Sequence, residues 1–94
     1  MPGNRDLTKN SETGGVQIVT IPNPAADTSP TAQTCVSCMV AQKSGTQAYM
    51  NIGAACTTSH WKLSTTPIEV PVTNLENLHF IGTAADLIQI LWRS

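Results

Sequence analysis

Five side chains in this sequence are of types that could do chemistry at neutral pH: Cys35, Cys38, Cys56, His60 and His79. Cys35-Val36-Ser37-Cys38 is a CxxC motif. On a tight knuckle that spacing can hold zinc, and at a helix start it can exchange thiols. Zinc wants four ligands, so the pair plus Cys56 and one histidine is arithmetically sufficient. The local pattern argues against it. The motif lies in a stretch of strand character, where residues i and i+3 point to opposite faces, so a regular strand separates the two thiols. A thioredoxin-type site also needs a strand running into a helix, and no helical pattern follows. Three buried free thiols is the preferred expectation, since cysteine packs as a small hydrophobe. A disulfide from Cys56 to Cys35 or Cys38 comes second and a metal site third.

The histidines lack the partners that catalysis requires. His60 stands beside Trp61, which suits a contact pair at an interface, although Trp61 reads first as a cap on the core and second as an interface residue. His79 lies between Leu78 and Phe80 and is expected to face away from their apolar side. The six carboxylates are scattered singly, and no two are spaced for acid–base work. Gly14-Gly15 has neither the lysine nor the helix of a phosphate loop. No catalytic, cofactor-binding or metal-binding residue is assigned, and the expected class is a non-enzymatic binding or structural protein.

The elements are short. Val16 to Ile21 carries apolar residues on both parities, the mark of a strand buried on two sides or covered by a partner. Pro22, Pro24 and Pro30 then make residues 22–33 a loop or edge crossing. Thr34 to Gln42 reads as a second strand, with Val36, Cys38 and Val40 on one face and Cys35, Ser37, Met39 and Ala41 on the other. Lys43-Ser44-Gly45 is a turn. Thr46 to Gly53 is a third strand with Ala48, Met50 and Ile52 inward, and together the two read as a β-hairpin. His60 to Leu63 is a short strand or an extended plug. Ile68 to Val72 contains Pro71 and is expected at a sheet edge. Asn74 to Asn77 is a polar crossover of about one helical turn, and Leu78–Ile81 and Leu87–Trp92 are the last two strands. Ala84 to Trp92 also fits a helical template, but Ile88, Ile90 and Trp92 on one parity of so short a run favour a strand. About seven strands at this spacing predict an all-β fold, a small antiparallel sandwich or barrel, over residues 15–94. Trp92 is expected in the core.

Residues 1–14 hold four of the eleven charges and little apolar mass. They are expected to form an extended N-terminal arm, either a frayed tail or a segment that orders on a neighbouring subunit. At 94 residues the chain makes one domain with a modest core. It is 40% hydrophobic and 12% charged, with a net charge of −1, so disorder is not expected. Five scattered Lys and Arg argue against nucleic acid as a partner. No apolar run is long enough for a membrane-spanning helix, and the polar start lacks a signal-peptide core, so a cytosol-like compartment with reduced thiols is expected. So uncharged a surface on a small domain is poorly protected against association, and part of it is expected to be covered.

The order of features over about residues 16–93 resembles that of small tailed-bacteriophage virion proteins. The resemblance is carried by a first strand and a Cys-containing second strand, then a strand ending in glycine. After these come Ile68-Glu69-Val70-Pro71-Val72, and Asn74-Leu75-x-x-Leu78-x-Phe80-Ile81-Gly82-Thr83-Ala84 leading to a terminal apolar strand. The CxxC pair and the long 22–33 segment depart from that layout. The resemblance implies a capsid decoration (cement) protein in the virion, assembled in the host cytoplasm, whose partners are the major capsid protein and copies of itself. A tail, connector or fibre component is the alternative within the same group, and a receptor- or carbohydrate-binding module the alternative outside it. No cofactor, nucleic acid or membrane is implied. The residues expected to make contacts are Arg5, Leu7 and Lys9 of the arm, Pro24 and Pro30 of the crossing segment, and His60 and Trp61.

Overall fold

The fold was analysed in a computed structural model, which describes residues 14–94. It is all-β and antiparallel, in two sheets that do not close into a barrel. In chain order the strands are β1 (Gly14–Thr20), β2 (Ser37–Ser44), β3 (Ala48–Ile52), β4 (Trp61–Lys62), β5 (Ile68–Val70), β6 (Leu78–Gly82) and β7 (Leu87–Arg93). The larger sheet has the order β1-β7-β2-β5 and the smaller β4-β3-β6. Alternation along each strand sends Val19, Cys38, Val40, Val70, Ile88 and Ile90 from one sheet, and Ala48, Met50, Leu78 and Phe80 from the other, into a shared core. Trp92 packs against that core and is partly buried.

Two segments close the open sides of the sandwich. Residues 21–34 run from the β1 edge to β6. Thr28 and Phe80 exchange backbone hydrogen bonds of 2.9 and 2.8 Å, and the Gln17 amide both donates to the Thr31 carbonyl and accepts from its N–H. On the other side the chain leaves β4, donates from Leu63 N–H to the Ala48 carbonyl in the smaller sheet, and accepts from Gln42 N–H at the Ser64 carbonyl in the larger. It then forms β5, an edge strand that ends before Pro71, because proline has no N–H for a ladder. A single 3₁₀ turn, Leu75–Asn77, follows. Its Asn74 cap accepts from Glu76 N–H, as the polar run Asn74–Asn77 implies.

Several expectations need correction. Ile52, expected inward, is 48% exposed at the end of β3. The strand expected over Ile68 to Val72 stops at Val70, before Pro71. Strands β2 and β3 do not form a hairpin. β2 pairs with β7 and β5, while β3 pairs with β6 and β4, so the turn at Lys43–Gly45 steps between sheets. The reason is that both strands bury their inward parity in the same core and serve it better from opposite sides. The second strand begins at Ser37 and not at Thr34. Cys35 N–H bonds to the Thr73 carbonyl and Val36 N–H to the Arg93 carbonyl, and this irregular entry breaks the alternation. Cys35 and Cys38 therefore share the core, and Val36 is 59% exposed. Finally, Gly14 belongs to β1, opposite Arg93, and not to the arm.

Asp86 ties the two sheet-crossing turns together. It is 1% exposed, and its carboxyl oxygens accept from the N–H groups of Thr46 (2.8 Å), Gln47 (3.3 Å) and Thr83 (2.9 Å). The β2–β3 turn and the β6–β7 turn meet on this one side chain. Gly45 sits against it with φ +108°, and a Cβ there would collide with the carboxyl group. Gln42, also buried, adds a second tie by accepting from Ala48 N–H at 2.9 Å.

Candidate interaction surface

Seven large hydrophobic side chains are exposed among the described residues; Val36 lies before β2, Ile52 and Trp61 lie on the smaller sheet, and the other four gather on one face. Val16 (62% exposed), Ile18 (44%), Met39 (41%) and Leu91 (56%) all lie on the outer face of the larger sheet. The registers place them together. Val16 stands opposite Leu91 on β7, and Leu91 opposite Met39 on β2. In the next row Ile18, Gln89 and Ala41 lie side by side. A groove of about 290 Å³ runs over this face, lined by Val16, Met39, Ala41, Pro67, Gln89 and Leu91. Three strands thus present an apolar outer face where an antiparallel sandwich ordinarily turns polar side chains to water. Its charged groups stand at the margin. Glu69 lies beyond Met39 on the edge strand, Arg93 lies one row from Leu91, and Lys43 sits at the irregularity of β2.

The chemically capable side chains are held in structural roles. The three cysteines are buried free thiols, and the CxxC thiols donate to the carbonyls that follow them in space, Cys35 to Val72 and Cys38 to Val70. Burial pushes all three thiols above their ordinary range. Cys38 rises to about 11, with the neighbouring Cys35 adding to the effect, so a thiolate is disfavoured. Among the described residues no three metal-ligating side chains cluster.

His79 does meet an acid and a hydroxyl, Asp27 at 3.1 Å and Ser29 at 3.4 Å, but both contacts are made by the same ring nitrogen, Nδ1. A catalytic relay places nucleophile and acid on opposite ring nitrogens, so this trio does not have that geometry. Its role is to fasten the crossing segment, since Asp27 also accepts from Cys56 N–H at 2.8 Å. Partial burial raises the Asp27 pKa, but the Cys56 N–H and His79 outweigh it and hold the carboxyl below 3.8. A carboxyl whose folded pKa is depressed contributes stability above its unfolded pKa and loses it as pH falls through the folded value. Urea melts of the wild-type chain and of Asp27→Asn should therefore diverge above pH 4 and converge in stronger acid. Curves that stay parallel down to pH 2 would contradict this role.

Of the contact residues expected from sequence, Arg5, Leu7 and Lys9 lie outside the described residues. Pro24 is exposed on the crossing segment, whereas Pro30 is buried and offers no surface to a partner. His60 and Trp61 are both exposed, Trp61 at 60%, beside the edge strand β4. His60 Nδ1 accepts from Thr57 N–H at 2.8 Å, which fixes the ring on its own turn. The β4 edge and the outer face of the larger sheet are thus separate surfaces, on different sheets. Sequence reasoning did not single out Val16, Ile18, Met39 and Leu91 as a surface. The available signal was an apolar residue on both parities of β1 and β7. Comparison with protein-family models, curated proteins and solved structures returned no match.

Proposed function

We propose that this chain is a structural protein that works by being covered, and that it serves as a decoration protein on the outside of a bacteriophage head. The observation that carries the first part is the apolar outer face of the larger sheet, centred on Leu91. An exposed apolar patch bordered by polar groups marks a site of association. The assignment to a phage head rests on the resemblance in strand and turn order. The rigid two-sheet body is compatible with it, as is the exposed Trp61 edge, which offers a second and separate contact to a shell. Repeated weak contacts by copies on one lattice add up, so no single contact has to be strong.

Purified chain added to undecorated shells of the phage that encodes it should bind saturably, at hundreds of copies per particle, and raise the temperature at which the shells disrupt. Trp61→Ala should weaken uptake while leaving the melting of the free protein unchanged. Absence of uptake would overturn the head assignment. A stoichiometry of a dozen or fewer would move the protein to the tail axis.

A further inference from the structure

We infer that the outer face of the β1-β7-β2-β5 sheet is covered by the same face of a second copy of this chain, in a symmetric back-to-back pair. The inference deepens the proposed function, from which it takes only that the face is covered, and it names the partner.

Three features favour a second copy over a partner of another kind. The first is charge. A face built to meet a basic or acidic protein carries the opposite sign, whereas the centre of this one carries none. At one end stand a single acid and a single base, Glu69 and Arg93, around the depression formed with Met39, Leu91 and Ser37. A two-fold axis turns such a face so that its own acid and base can exchange partners across the junction. A self-complementary patch is what an isologous contact requires.

The second feature is extent. The face spans three strands and its groove holds about 290 Å³, a small surface beside specific contacts that bury roughly 1,200–2,000 Å² in total. The expected dimer is therefore weak and concentration-dependent. The third feature is shape. The face is a pleated antiparallel layer with a groove of about 290 Å³, and two such layers pack face to face through interdigitated side chains, as the inner faces of a sandwich do.

The experiment is sedimentation equilibrium of the full chain over a concentration series, beside Leu91→Asp and Met39→Asp. Both positions are exposed, so neither variant should lose its fold, and far-ultraviolet circular dichroism with thermal melting controls for that. Wild-type mass should rise from 10.0 kDa towards twice that value with concentration. A buried carboxylate at the centre should weaken association by about thirtyfold or more. An equimolar mixture of Leu91→Glu and Leu91→Lys should recover association that neither variant shows alone, because Leu91 lies near the centre of the patch. A wild-type chain that stays monomeric throughout would overturn the inference. So would a dimer that survives both Asp variants, since the contact would then lie at a sheet edge and not on the face. The outcomes separate the two readings. A monomer whose uptake by shells depends on Leu91 sinks the pair and keeps the head assignment. A Leu91-dependent dimer that no shell takes up does the reverse.

Discussion

Asp86→Ala should destabilise the fold by about 4 kcal/mol, because it removes the acceptor from three N–H groups at once and each unsatisfied donor costs roughly 1–3 kcal/mol. The three donors, on Thr46, Gln47 and Thr83, belong to two turns that join opposite sheets. Water can reach some of them once the side chain is gone, which keeps the figure below the simple sum. Asp86→Asn keeps one oxygen but turns an NH₂ towards donors, so it should recover less than half of the loss. Gly45→Ala attacks the same junction from the other side. A Cβ at φ +108° is strained and also meets the carboxyl group, and about 2–3 kcal/mol is expected. Equilibrium urea unfolding of the three variants followed by tryptophan fluorescence measures all of this. A loss under 1 kcal/mol for Asp86→Ala would show that the junction is held by the chain path alone. The double variant Gly45→Ala/Asp86→Ala should cost less than the sum of the singles, since removing the carboxyl group relieves the side-chain part of the collision, while the contact with the Asp86 Cα at 2.8 Å and the strain at φ +108° remain.

Phe80→Ala should cost about 3–5 kcal/mol, the range for emptying a large aromatic site in a close-packed core. Phe80 is fully buried, and its backbone is paired on both sides, with Met50 of β3 and with Thr28 of the crossing segment. It is the residue at which the smaller sheet, the core and the closing segment meet. A domain of this size has a total stability of about 5–14 kcal/mol, so the variant should lose a large fraction of it and melt well below the wild-type chain. Phe80→Leu, which keeps most of the volume, should cost less than about 1.5 kcal/mol. Thermal melting by circular dichroism distinguishes the two. Similar melting temperatures for both variants would mean that the cavity collapses and that Phe80 is not the junction described.

Much of the fold was legible in the sequence, and the illegible parts share a cause. Alternation gave the strands of the C-terminal third, since Ile88 and Ile90 are both on one parity and both end in the core. Pro71 marked an edge strand, though one that stops at Val70 and does not reach Val72, and the polar run Asn74–Asn77 marked a helical turn. These are local signals. Pairing is not local. The turn at Gly45 looks like a hairpin turn, and the element that makes it a step between sheets is Asp86, forty-one residues away. The cysteine pair was misplaced for a related reason. The alternation rule holds inside a regular strand, and the entry to β2 is bonded to Thr73 and Arg93, which no nearby residue foretells. For the candidate surface, both parities of β1 and β7 were visibly apolar. Apolarity on both faces can mean a strand inside the core or one at a surface awaiting a partner, and only the sheet order decides. Trp61 could be read either as a cap on the core or as an interface residue, and its 60% exposure on β4 was not fixed by its neighbours in the sequence.

The position of β7 has a consequence for biosynthesis. It is the last of the described strands to be made, yet it lies between β1 and β2 and, among the described residues, supplies the only ladder that β1 has. As a nascent chain leaves the ribosome, β1 must wait without a partner strand, and β2 with β5 alone, until β7 clears the exit tunnel. Only then can the larger sheet assemble, and it does so through contacts distant in sequence, a slow class of folding reaction. A stop codon before β7 would thus release a chain whose β1 has no partner strand and whose β2 is paired on one side alone, with β5, a form that co-translational chaperones would be expected to hold and proteases to clear.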